Sequence, residues 1–177
     1  MESGLDEAGL SGRAGLPWYV AHTRPRCEKK LADYCHREKL PATLPCYRAV
    51  HKYRGKTRKT AVFEKPLFPG YVFLQLFPPQ RSKVYQSDYV ANLLEVASQD
   101  LFEEQLKVVL RALEANLEIR LAPEIKEGQR VQIVRGPLQG MEGWVEQRYG
   151  PDIVLLRIDF IGQAAAVKMA VEDFESA

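Results

Sequence analysis

The chain has 177 residues, 46% hydrophobic and 27% charged, a balance that suits a folded globular protein and excludes wholesale disorder. No apolar stretch approaches the roughly 20 residues a membrane-spanning helix needs, and Met1–Leu16 carries Glu2, Asp6 and Glu7 where a secretory signal needs a basic start and an apolar centre. The net charge of +2 hides a split: residues 17–95 hold 15 Lys and Arg against 6 acids, while the flanking segments are mildly acidic.

A cationic first half suits a polyanion or an acidic protein surface as partner. The three cysteines, Cys27, Cys35 and Cys46, form no regular framework, so a disulfide-stapled secreted domain is not expected. The sequence is that of a soluble, cytoplasmic protein.

Residues 1–16 contain four glycines and no periodicity, and read as a disordered tail. Order is expected from Pro17, with Trp18-Tyr19-Val20 as a strand. Between Arg26 and Lys39, Cys27, Leu31, Tyr34 and Cys35 share one helical face, and Leu40-Pro41 ends the helix. Cys46–Tyr53 and Lys59–Phe63 predict a strand pair whose mobile tip is residues 54–58. Leu67-Phe68-Pro69-Gly70 predicts a turn, and the following run, Tyr71–Phe77, is apolar enough for a central strand covered on both faces. Arg81–Ser87 predicts a short helix and Val90–Val96 a strand. Phe102, Leu106, Val109, Leu110, Leu113 and Leu117 keep a 3.6-residue period, and Asp100 with Glu103 supplies a D-x-x-E start signal.

Ala122-Pro123 breaks that pattern. The expected division is a domain over 17–117, a linker over 118–123 and a second domain over 124–177. Beyond the break the texture is short strands and frequent glycine, with strands at Val131–Val134, Trp144-Val145, Ile153–Phe160 and Ala164–Met169, as in a small barrel. The fold class is α+β: an antiparallel sheet flanked by helices, joined to an SH3-like β-barrel.

Little in the chain points to catalysis or metal. The cysteines lie too far apart for a tight zinc-binding pair, and Cys27 and Cys35 are better explained as small apolar residues on the buried helix face. No nucleophile elbow, phosphate loop or H-E-x-x-H run occurs, and the carboxylates of the cationic half are scattered. A non-enzyme without cofactor or metal is expected.

Two segments carry the functional signal. Over residues 48–65, Arg48, Lys52, Arg54, Lys56, Arg58, Lys59 and Lys65 oppose only Glu64, with Tyr47, Tyr53 and Phe63 interleaved. Such a hairpin suits phosphate neutralisation and base stacking, against the plainer reading of a solvated edge. In Leu67–Phe73, Pro69-Gly70 fits a type II turn that aims Phe68 and Tyr71 from a sheet edge. Strand alternation puts Tyr71 and Phe73 on one face, where exposed rings would dock a protein.

Trp18-Tyr19-Val20, a basic first helix, the basic hairpin and then LFPGYVFLQL resemble the N-terminal domain of NusG-type transcription factors. Gly128–Gly143, reading GQRVQIVRGPLQGMEG, resembles the KOW motif of the same family. The resemblance covers roughly residues 17–176 and implies a factor that docks on the β′ clamp helices of RNA polymerase and bridges the DNA cleft. By resemblance, Phe68, Tyr71 and Phe73 form the apolar docking surface, and Arg81, Ser82 and Lys83 face the β subunit. Arg24, Arg26, Lys30, Tyr34, Gln86 and Ser87 match the face presented to non-template DNA, and the hairpin cations Arg54, Lys56 and Arg58 join the nucleic-acid set. Leu138 and Met141 lie in the loop that contacts a small-subunit ribosomal protein or Rho. The segment Gln86-Ser87-Asp88-Tyr89-Val90 departs from the N-T-P-G-V of general family members, which tilts the reading towards an RfaH-like, operon-directed antiterminator.

The implied factor is a monomer with no membrane partner, and its second domain is expected to be a barrel rather than a helical hairpin. A ribosome-associated or general RNA-binding KOW protein is the competing reading, and it leaves LFPGYVF unexplained. A nuclease guided by the basic hairpin lacks an acid–base set.

Overall fold

A computed structural model of the protein describes residues 15–53 and 60–177. The first domain runs β1 (Trp18–Thr23), α1 (Glu28–Arg37), β2 (Ala42–Thr43), β3 (Cys46–Lys52), β4 (Thr60–Pro66), β5 (Tyr71–Gln75), α2 (Arg81–Tyr85), β6 (Val90–Glu95) and α3 (Gln99–Glu114). Its sheet has the order β2-β5-β1-β6, and β3-β4 form a separate two-stranded ribbon. All the pairings are antiparallel.

Alternation along β1 and β5 splits the core into two layers. Tyr19, Ala21, Val72 and Leu74 pack with Leu31 and Cys35 of α1 on one face. Trp18, Val20 and Phe73 pack under Phe102, Leu106, Val109 and Leu110 of α3 on the other. β5 is therefore covered on both faces, as its continuous apolar run predicts. The strand stops at Gln75, and Phe77 is exposed.

Two local readings need correction. Cys27 is not on the buried face of α1: it precedes the helix at the N-cap position and is half-buried, its Sγ near the Pro25 carbonyl. The D-x-x-E signal does not cap α3 either, since Ser98 occupies the N-cap position. Glu103 instead accepts hydrogen bonds from Lys107 Nζ at 2.6 Å and Trp18 Nε1 at 3.0 Å. The Lys107 bond first, then the Trp18 bond, hold its carboxyl below the usual carboxylate range. That contribution to stability is present at neutral pH and is lost as pH falls through the lowered value.

The second domain is all-β, with β7 (Ile119–Ala122), β8 (Gln129–Ile133), β9 (Glu142–Val145), β10 (Ile153–Ile158), β11 (Gln163–Lys168) and β12 (Phe174–Ser176) in the order β12-β8-β9-β10-β11-β7. The expected linker is not a free connector. Ile119–Ala122 pair with Val167–Ala164, so residues 118–123 belong mostly to the second sheet. The alanine run Ala164-Ala165-Ala166 has high helix propensity but is strand here, paired with Arg157, Leu156 and Leu155. Their side chains are buried on both faces of the sheet, and tertiary burial overrides propensity.

The two domains meet along α3, which lies against β10. Gln105 Nε2 donates to Asp159 Oδ2 at 2.6 Å, and the Asp159 N–H donates to Gln105 Oε1 at 3.0 Å. The Phe160 ring stands edge-on to Phe102 at 6.3 Å.

Candidate functional site

Three connections gather at one end of the first sheet: the Phe68–Tyr71 turn, the β1–α1 loop and the α2–β6 loop. The Thr23 N–H donates to the Gly70 carbonyl at 2.8 Å, and the next residue, Arg24, donates its N–H to the Tyr89 carbonyl at 2.8 Å. The sequence separates these pieces by tens of residues, and the strand order brings them together.

The turn has the type II form expected of Pro69-Gly70. Gly70 has φ of +87°, and the Tyr71 N–H donates to the Phe68 carbonyl at 3.2 Å. Glu28, in the first turn of α1, accepts the Gly70 N–H at 2.7 Å. Tyr71 stacks on His22, its direct cross-strand partner, at 5.3 Å and 26° between ring planes. Glu28 and His22 carried no signal in the sequence, because each acquires its role only from a neighbour more than 40 residues away.

The expected row of exposed rings shortens to one. Tyr71 is half-buried, whereas Phe68 is 1% exposed and Phe73 fully buried. Tyr71 and Phe73 do share a face, but α3 lies over it from Phe73 inward. There the Phe102 ring meets Phe73 at 5.3 Å, and Phe68 packs behind it at 6.2 Å. Phe68 and Phe73 support the platform, and the open element is Tyr71 with the exposed imidazole of His22.

Beside this turn, Arg24 meets the loop containing Gln86, Ser87 and Asp88, and Arg26 is exposed two residues further on. Arg24 Nη2 lies 2.9 Å from Asp88 Oδ1, both side chains being exposed. Arg26 and Asp88 adopt left-handed backbone angles of +60° and +64°, uncommon for side chains other than glycine. Such conformations persist where the surroundings over-determine them, and they concentrate at binding surfaces. Ser87 Oγ accepts the Tyr89 N–H at 3.2 Å, and Lys30 is exposed on α1.

Other expected residues have structural partners. The Tyr34 hydroxyl donates to the Lys83 carbonyl at 2.8 Å, and Lys83 Nζ lies 2.7 Å from Glu38, so both tie α2 to α1. The hydrogen bond to Glu38 raises the Lys83 ammonium above its ordinary range. The Arg81 guanidinium sits over the Tyr19 ring at 5.5 Å, and Ser82 Oγ donates to the Pro79 carbonyl at 3.2 Å. The expected hairpin cations Arg54, Lys56 and Arg58 lie outside the described residues. In the second domain Leu138 is fully buried, because its loop folds back to fill the core between Ile133 and Met141. Met141 is half-buried at the edge of that core.

Among the described residues, no group of three His, Cys, Asp or Glu side chains could hold a metal ion. Burial pushes the Cys35 thiol up to about 12, which keeps it protonated and a poor ligand. Among the same residues no helix is long and apolar enough to cross a membrane.

Residues 16–100 match the family model described as transcription termination factor nusG. A curated relative, the transcription termination/antitermination protein NusG of Borreliella burgdorferi, is 23% identical over 184 residues, covering 89% of this chain and 97% of the relative. A solved structure described as domain interaction in Thermotoga maritima NusG is 20% identical, covers 93% of this chain and 99% of that one, and superposes with a TM-score of 0.47. These matches liken the chain, a sheet-and-helix domain followed by an all-β domain, to transcription termination/antitermination factors. Residues 16–100, slightly under half of the chain, carry the match to this family.

Proposed function

We propose that the chain acts on transcribing RNA polymerase: it docks on the β′ clamp helices, reaches across the DNA cleft to the β subunit, and suppresses pausing or termination. Its action is a population shift away from the paused state, and needs no chemistry on a substrate. The observation that carries this reading is the type II turn at Phe68–Tyr71, which Glu28 clamps and which holds Tyr71 and His22 at one end of the two central strands. The loops of Arg24 and Asp88 adjoin that end, so one end of the domain offers an aromatic anchor to protein and a cationic surface to non-template DNA. Operon-directed action is proposed on the Gln86–Tyr89 loop, whose sequence and left-handed Asp88 set the shape of that surface. The second domain, through the edge at Met141, recruits a small-subunit ribosomal protein or Rho.

Tyr71→Ala tests the docking reading. Truncating a central aromatic anchor costs about 2 kcal/mol or more, so affinity for polymerase should fall roughly thirtyfold. Because Tyr71 is only half-buried, the melting temperature should stay near wild type. Equal polymerase affinity for variant and wild type removes Tyr71 from the interface. Recovery of ribosomes without polymerase from a lysate favours the general RNA-binding reading.

The DNA face has its own test. Arg24→Ala and Lys30→Ala should reduce pause suppression at a target site while leaving polymerase binding in place. Asp88→Asn frees Arg24 from its carboxylate partner, and asparagine tolerates the left-handed angle of +64°. Free Asp88→Asn protein should therefore bind DNA about two- to fivefold more tightly than wild type at low salt, the range of an exposed ion pair. If Arg24→Ala and Lys30→Ala suppress pausing as wild type does, this face is only solvated.

A further inference from the structure

Each of the two large sheets ends in two edge strands, and three of these four edges are capped or very short. The Leu93 N–H of β6 donates to the Tyr85 hydroxyl at 3.0 Å, and β2 and β12 have two and three residues. The fourth edge is β7. The Lys168 N–H donates to the Glu118 carbonyl at 3.2 Å, which fixes the phase of the ladder between β7 and β11. Glu118, Arg120 and Ala122 turn their backbone groups to β11, so the N–H and C=O of Ile119 and Leu121 point away from the sheet. No hydrogen bond reaches those groups among the described residues. Clefts flank Ile119 on both sides, one of about 600 Å³ towards Tyr47 and Leu113 and one of about 340 Å³ towards Tyr149 and Ile153. The chain's own side chains therefore leave this edge open. Glu118 and Arg120 are exposed, and neither is in an ion pair among the described residues.

We infer that β7 is the edge through which a second copy of this chain pairs, antiparallel and two-fold symmetric, with Ile119 opposite Ile119. Two identical antiparallel strands form an isologous contact, which closes as a dimer. Charge selects both the occupant and the register. With Ile119 at the axis, its two copies exchange both outward hydrogen bonds, and Arg120 stands directly across from the partner's Glu118, once on each side of the axis. Those are the non-hydrogen-bonded positions, where facing side chains come closest. On the other face Ile119 meets its copy and Leu121 meets the partner's Leu117, apolar against apolar. The neighbouring registers fail. An axis at Glu118 or Arg120 sets like charges across from each other. An axis at Leu121 sets Glu118 across from Glu124 and brings Pro123, which has no N–H, to the bonding position opposite Ile119. The run Glu118-Ile119-Arg120 is thus its own antiparallel complement. A strand from another protein meets the backbone groups alone unless it repeats this spacing of acid and cation.

Sedimentation equilibrium of the full chain at low salt tests this. Over a concentration series the average mass should rise from that of one chain towards that of two, and added salt should weaken the association. Arg120→Glu and Glu118→Arg each replace two attractive pairs by two repulsive ones, so each should weaken the dimer about tenfold or more. Mixed in equal amounts, the two variants should associate with each other, because one then brings only acids to the axis and the other only cations. The double variant Glu118→Arg with Arg120→Glu should dimerise as wild type does. Tyr71→Ala should also dimerise as wild type, so a failure of the polymerase reading is distinguishable from a failure here. A chain that stays monomeric at every concentration, the state expected from the sequence, overturns the inference and leaves the edge to another protein's strand. So does a dimer that both charge reversals leave intact, or one that mixing the two variants fails to restore.

Discussion

Phe102→Ala is expected to destabilise the first domain by about 3–5 kcal/mol, the range for truncating a buried aromatic ring in a packed core. Phe102 is 2% exposed and sits where three other rings converge. Trp18 of β1 lies at 5.6 Å, Phe73 of β5 at 5.3 Å, and Phe160 of the second domain at 6.3 Å. Removing its ring opens a cavity that neither the sheet nor α3 can collapse to fill, because Phe73 and Trp18 are fixed in paired strands. At about 4–8 °C per kcal/mol for a domain of this size, the melting transition should fall by roughly 12–40 °C in calorimetry. Phe160→Ala provides the contrast. Phe160 is an exposed residue on the far side of the domain contact, so its truncation should change the first transition by about 1 kcal/mol or less. A Phe102→Ala protein that melts with wild type would show that α3 is held by Leu106, Val109 and Leu110 without the aromatic cluster.

The same cluster explains which parts of the molecule were legible beforehand. Period and punctuation are local, and they placed α3, β5 and the Phe68–Tyr71 turn, down to the positive φ of Gly70. They also placed four of the six strands of the second domain, because β-branched runs between glycines need no tertiary partner to be recognised. β2 and β12, of two and three residues, are too short to show any alternation. β7 sits where Ala122-Pro123 reads as a break, although a proline just past a strand's end costs that strand no hydrogen bond. The burial of Phe73 depends on which helix crosses which face, and alternation cannot supply that. At the candidate site, the residue types and the turn were legible, but the clamp of Glu28, the stack of His22 and the pairing of Arg24 with Asp88 were not. Each joins groups far apart in sequence, and a charged residue looks the same in sequence whether it is solvated or paired.

Glu146 is the sharpest such case, and its substitution should have the largest effect on the second domain. Its side chain is 2% exposed, a position carboxylates rarely occupy unless paired. Oε2 accepts from Arg148 Nε at 2.7 Å, Oε1 accepts the Lys126 N–H at 3.1 Å, and Arg157 Nη2 lies 3.6 Å from Oε1. Arg157 is itself largely buried, its guanidinium 4.6 Å above the Trp144 ring, and it also donates to the Lys126 carbonyl at 2.6 Å. One carboxylate thus pins the segment leading into β8 and compensates a buried cation on β10. The backbone passes so close that a Cβ at Gly128 would stand 2.9 Å from Glu146 Cγ. Glu146→Ala removes the charge partner of Arg157, leaves the Lys126 N–H without its acceptor and opens a void, so a loss of about 3–5 kcal/mol is expected. Glu146→Gln keeps the shape and one acceptor oxygen, and should lose less. The second domain should then melt as a separate, earlier transition, with the first domain's transition unchanged, and amide signals from β8 to β11 should collapse first. A Glu146→Ala protein whose second domain melts within about 1 kcal/mol of wild type would mean that Arg157 is held by Trp144 and the Lys126 carbonyl alone.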